Sequence, residues 1–149
     1  MKVDIYDLLD IYEKQIARNT KNKKKINIFE KNKMQNMYDI KKLIESNNYS
    51  VFKYNIFSIN KPKYRIVMSV NIKDKIVNHY VAKNILIKKL SKYLDIRNCA
   101  TRKNMGYDYA IKLLIRYLNK FKKYKKFYIL RIDINKYFYS IDHDILKKV

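Results

Sequence analysis

Phe127-Tyr-Ile-Leu-Arg-Ile-Asp133-Ile-Asn-Lys-Tyr-Phe138-Tyr-Ser-Ile-Asp-His143 is the stretch on which the reading of this chain turns. Residues 127–132 are apolar except for Arg131, and their β-branched and aromatic enrichment predicts a buried strand with Asp133 at its end. A carboxylate left buried and unpaired costs on the order of several kcal/mol. Asp133 is therefore expected to meet a metal ion or a cation. Just beyond, Asp142 and Asp144 are expected to cap and pre-charge a helix, with His143 orienting the turn.

The charge around this motif is lopsided. Thirty-five Lys and Arg against thirteen Asp and Glu give a formal net charge of +22 on 149 residues, which implies salt-sensitive binding to a polyanion. Between Lys75 and Ile132 there are sixteen Lys or Arg but two acids, Asp95 and Asp108. Such a field repels itself unless a phosphate backbone lies along it. Abundant Lys, Asn, Ile and Tyr also fit an AT-rich coding sequence; that bias explains the excess of Lys over Arg but not the scarcity of acids.

Hydrophobic residues at 48%, with fifteen Tyr and six Phe, supply a core and exclude a disordered basic tail. The single cysteine, Cys99, excludes an internal disulfide, and with two distant His it excludes a zinc cluster of ordinary spacing. Cys99 is expected to be a small buried hydrophobe. Acids interrupt the first apolar residues, so the amino terminus does not resemble a signal peptide, and no apolar run approaches spanning length. A cytoplasmic location is the expectation.

Ile5, Leu8, Leu9, Tyr12 and Ile16 recur at helical spacing, which predicts a first amphipathic helix capped by Asp4. Residues 21–25 read as a solvated charge run at a linker or helix end, and 34–44 as a second, weaker helix. The period then changes. Residues 49–58 and 64–70 are β-prone, with Asn60-Lys61-Pro62-Lys63 between them, so a hairpin is expected. A helix capped by Asp74 should follow, carrying Ile76, Val77, Tyr80, Val81, Ile85 and Leu86, with His79 partly buried on it. The chain's one glycine, Gly106, precedes a further helix with Tyr107, Ala110, Ile111, Leu114, Tyr117, Leu118 and Phe121 on one stripe.

The order of strand, Asp133, an aromatic five residues on at Phe138, and then Ser140-Ile-Asp-His143 resembles the first palm motif of reverse transcriptases, especially the bacterial group II intron and retron-like ones. Lys63-Tyr64-Arg65-Ile66 is similar to the returning strand of that family's fingers hairpin, and Asp74-Lys75-Ile76-Val77 to the segment after it. The resemblance implies a mixed α/β (α+β) fold, the fingers and partial palm of a right-hand polymerase behind an amino-terminal helical segment. By the same resemblance Asp133 and the main-chain carbonyl of Ile134 would bind catalytic Mg2+, and Phe138 would be the gate under the sugar of an incoming deoxynucleotide triphosphate. The main-chain N–H groups of Lys136 and Tyr137, with Arg65, would face its phosphates, Arg65 suiting them by its planar fork. Lys61 and Lys63 are weaker candidates for the same phosphates. Arg102, Lys103 and Gly106 would lie along the RNA template and DNA primer, positioning the strand without reading bases.

The family also carries two adjacent aspartates in a later palm hairpin, and this chain has no Asp-Asp pair. Two-metal nucleotidyl transfer needs carboxylates for both ions. The expectation is thus the amino-terminal piece of a longer polymerase, inactive alone and needing the remaining palm and thumb, divided into 1–48 (helical), 49–126 (fingers) and 127–149 (first palm strand). The alternative is a basic RNA-binding or assembly protein without catalysis. Both share one expected outcome. RNA affinity, measured by filter binding, should fall by about 10³ or more between 50 and 200 mM salt if six or more phosphates are contacted; a flat response would remove the polyanion reading.

Overall fold

A computed structural model describes residues 2–51 and 53–148. Helix accounts for 55% and strand for 8%, the latter a single antiparallel pair among the described residues, so the class is α+β. The chain divides into two units, Met1–Leu94 and Asp95–Val149. The amino-terminal helices and the helix after the hairpin share one core and so fall in one unit.

In the first unit, helix α1 (Ile5–Ile11) opens on Asp4, whose carboxylate accepts from the Tyr6 N–H, and it runs on into a π-helical turn at Tyr12–Ala17. Helices α2 (Lys23–Lys31) and α3 (Lys33–Glu45) follow. Strands β1 (Tyr54–Ile59) and β2 (Arg65–Val70) pair from Tyr54 opposite Val70 to Ile59 opposite Arg65. Helix α4 (Ile72–Val81) continues through a π-helical turn at Ala82–Leu86 into the short α5 (Ile87–Leu90). Helix α1 packs on α3 and α4, and the core joins Leu8, Ile11, Tyr12 and Ile16 to Phe29, Met37, Ile40, Ile76, Val77 and Tyr80.

The basic run takes one of its two expected forms, a solvated helix end: Asn22 caps α2 through the Lys25 N–H, residues 21–25 are exposed, and Ile26 and Phe29 turn a helical face into the core. Three local readings differ from expectation. The strand expected from residue 49 begins at Tyr54, because Tyr49 leaves the sheet to bond Asp74. Asn71, not Asp74, caps α4, accepting from the Asp74 N–H at 2.9 Å. Asp74 itself is fully buried, its Oδ1 accepting from the Tyr49 hydroxyl. His79, expected to be partly buried, is exposed.

The second unit contains a loop at 95–106, helix α6 (Tyr107–Phe121), and two single-turn helices, α7 (Tyr137–Ser140) and α8 (His143–Leu146). Among its described residues Cys99 alone is buried, as expected for that cysteine. Residues 126–134 form no strand and are exposed, which corrects the buried strand expected there. A strand needs a neighbour to take its N–H and C=O groups, and the described residues offer it none. α6 likewise carries its apolar stripe without burying a residue. No described helix is long and apolar enough to cross a membrane.

Two outcomes follow from the first unit's core. Leu8→Ala, at a fully buried position, should lower unfolding stability by about 2–5 kcal/mol in a denaturant titration. Burial first, then its hydrogen bond to Glu30, pushes the Tyr12 hydroxyl from its usual 10.0 up to about 12. The folded chain holds this proton more tightly than the unfolded one, so the contribution is whole below pH 10.0 and is lost as pH rises through about 12. The denaturation midpoint should fall across that window, and Tyr12→Phe should flatten the fall.

Candidate nucleotide and nucleic-acid site

Arg65 opens β2, and the turn before it holds Lys63; both side chains are exposed. The hairpin puts Tyr54, Ile56, Ile66 and Met68 on one face and Phe57, Val67, Ile59 and Arg65 on the other, because paired residues share a side and neighbours along a strand alternate. Every residue of β1 is exposed, and β2 is half-buried only at Val67, Ser69 and Val70. The hairpin's cationic end thus stands away from the core, and its base joins it.

In the second unit the loop before α6 is held by its own cations. Arg97 grips Asp95 through Nε at 2.7 Å and Nη2 at 2.9 Å, which holds the Asp95 carboxyl well below the usual carboxylate range. The half-buried Arg102 donates through Nη1 to the main-chain carbonyls of Asp95 at 2.8 Å and Asn98 at 3.3 Å. That guanidinium has a structural task that the sequence did not reveal. Lys103 is exposed and has no bond or ion pair to a described residue. Gly106 stands at φ 114° and ψ −156°, a region essentially closed to residues with a Cβ, and its carbonyl accepts from the Ala110 N–H at the start of α6.

The Asp133 motif is open to solvent. Asp133 follows the exposed run and carries no bond or ion pair to a described residue. Ile134 is exposed; Lys136 takes a left-handed conformation at φ 50°, and its carbonyl accepts from the N–H groups of Tyr139 and Ser140. That reversal starts α7, where Tyr137 and Phe138 meet edge to face at 5.3 Å with Phe138 82% exposed. Asp142 caps α8 through the N–H groups of Asp144 and Ile145, as the sequence predicts. The desolvation argument for a partner to Asp133 lapses, because the carboxylate is not buried.

The remaining acids show what sets Asp133 apart. Of the thirteen, eleven are committed to caps, ion pairs or buried hydrogen bonds within the fold. Asp108, in the first turn of α6, sits where the helix dipole favours a negative charge. Asp133 alone has neither a partner among the described residues nor a helix terminus to serve. No group of three His, Cys, Asp or Glu among the described residues could hold a metal ion.

The structure brings Asp133, Ile134, Lys136, Tyr137 and Phe138 together in the second unit, which also holds Arg102, Lys103 and Gly106; Lys63 and Arg65 belong to the first. Comparison with protein-family models, with curated proteins and with solved structures finds no match.

Gly106→Ala meets no atom within 4 Å of the added Cβ, so its cost is conformational alone. The variant should lose about 1–3 kcal/mol of stability, read by hydrogen exchange of the α6 amides. Unchanged exchange would mean that another backbone conformation serves equally well.

Proposed function

We propose that this chain supplies the fingers and first palm motif of an RNA-directed DNA polymerase of the reverse transcriptase type. One observation carries the reading. In a chain poor in acids, Asp133 is the one carboxylate among the described residues left without a structural task, and it stands five residues before an open aromatic ring, Phe138. The hairpin whose return strand opens on Arg65 and the glycine-specific backbone ahead of α6 support it by their order along the chain.

On this reading Arg65 pairs phosphate oxygens of the incoming deoxynucleotide through its planar fork, and Lys63 adds a flexible charge beside it. Phe138 packs beneath the sugar and discriminates against a 2′-hydroxyl, and Lys103 lies along a template or primer backbone. The described residues do not by themselves make a magnesium site, since Asp133 is joined by no cluster of further ligands. The remaining carboxylates must come from a partner segment, which would also cover the exposed run at 126–134.

A second reading has its own support: the cationic surplus and the exposed aromatic run at 126–134 suit a basic RNA-binding protein without catalysis. Primer extension with magnesium and deoxynucleotides on an RNA template, using protein made from the whole reading frame, separates the two. Polymerase function requires extension that falls by on the order of a hundredfold or more in Asp133→Ala, and Phe138→Ala should admit ribonucleotides. No extension, with RNA binding indifferent to Asp133→Ala, leaves the binding protein.

A further inference from the structure

A cleft of about 490 Å³ lies within the first unit, where α2 and the start of α3 face the base of the hairpin and the first turn of α4. Its volume suits a ligand of nucleotide size. Three lysines, Lys25, Lys73 and Lys75, line it, together with amide side chains such as Asn32 and Asn55, and no acid is among its lining residues. Lys73 is satisfied by Asp39 at 3.2 Å. Lys25 and Lys75 have no ion pair with any described residue, and Lys75 is half-buried. The acid next to it in the chain, Asp74, is turned inward to Tyr49.

This arrangement is unfavourable as it stands. Lys23, Lys24 and Lys25 occupy the first turn of α2 without an acid, at the end of the helix that repels cations. An anion in the cleft would relieve that repulsion and give Lys25 and Lys75 the partner that the protein withholds. Ile28, Val70 and Ile72 supply an apolar wall, and the Asn amides both donate and accept, as the edge of a base or a sugar hydroxyl requires.

We propose that this cleft binds the phosphate of a nucleotide, carried in a single strand of nucleic acid or free in solution. The site stands on the first unit alone and does not depend on the polymerase reading, since it uses neither Asp133 nor magnesium.

The test is fluorescence anisotropy of a short labelled oligouridylate on the full chain without magnesium, with unlabelled ATP as competitor. Lys25→Gln with Lys75→Gln should weaken binding about tenfold or more and reduce the salt slope by about two phosphates. Lys88→Gln with Lys92→Gln, which removes the same charge outside the cleft, should do clearly less. Displacement by ATP assigns the free nucleotide; retention of the oligomer against ATP assigns the strand. Equal losses in the two pairs, or no binding of either probe, overturn the proposal. Acetylation footprinting of the unmodified chain gives a readout that no misfolded variant can imitate: the oligomer or ATP should protect Lys25 and Lys75 but not Lys88 and Lys92, and equal labelling of all four overturns the site.

Discussion

The hydrogen bond from the Tyr49 hydroxyl to the buried carboxylate of Asp74 fixes where the hairpin stands. A two-stranded hairpin is marginal by itself, and β1 buries none of its residues. Its position is set from its ends. Tyr49 pins the entering chain to α4, and Asn71 caps α4 immediately after β2, so both strands leave from one anchored base. Burial, reinforced by the bond to Asp74, pushes the Tyr49 hydroxyl up, which keeps it protonated as the donor. The other carboxylate oxygen of Asp74 has no hydrogen bond to a described residue, a polar burial that costs about 1–3 kcal/mol.

The same economy of acids organises the electrostatics. Lys83 reaches both Asp7 and Asp10 at 3.6 Å and ties the turn after α4 to α1. Glu13 takes Lys33, and Asp39 takes Lys73 and Gln35; the Gln35 bond and then Lys73 draw the Asp39 carboxyl below its ordinary range. With acids spent on structure, the cations left over have no counter-charge of their own. They gather where α2 begins, around the cleft beside it, and along residues 120–126. The phosphate ligand proposed above would neutralise such a surplus.

The two units rest on different physics. The first buries a continuous apolar cluster from α1 to α4, while the second fully buries no residue of α6, leaves residues 126–134 and Phe138 exposed, and holds its loop by Arg97, Arg102 and Gly106. Exposed apolar faces call for cover. Residues 126–134 have the composition of a strand but no neighbour to pair with among the described residues.

Sequence alone determined the helix capped by Asp4, the hairpin with its turn at 60–63, the helix after Gly106 and the cap at Asp142, because each is written in local periodicity and turn chemistry. It also determined the cationic surplus and the spacing from Asp133 to Phe138. Tertiary structure decided what depends on neighbours distant in the chain. Lys23–Lys31 became a helix because Ile26 and Phe29 found the core, a signal that the surrounding lysines mask. Tyr49 left its strand for a carboxylate 25 residues away, and Arg102 turned inward to two carbonyls. Residues 126–134 stayed out of a sheet for the converse reason: strand propensity is local, but a strand exists only where another backbone accepts its hydrogen bonds.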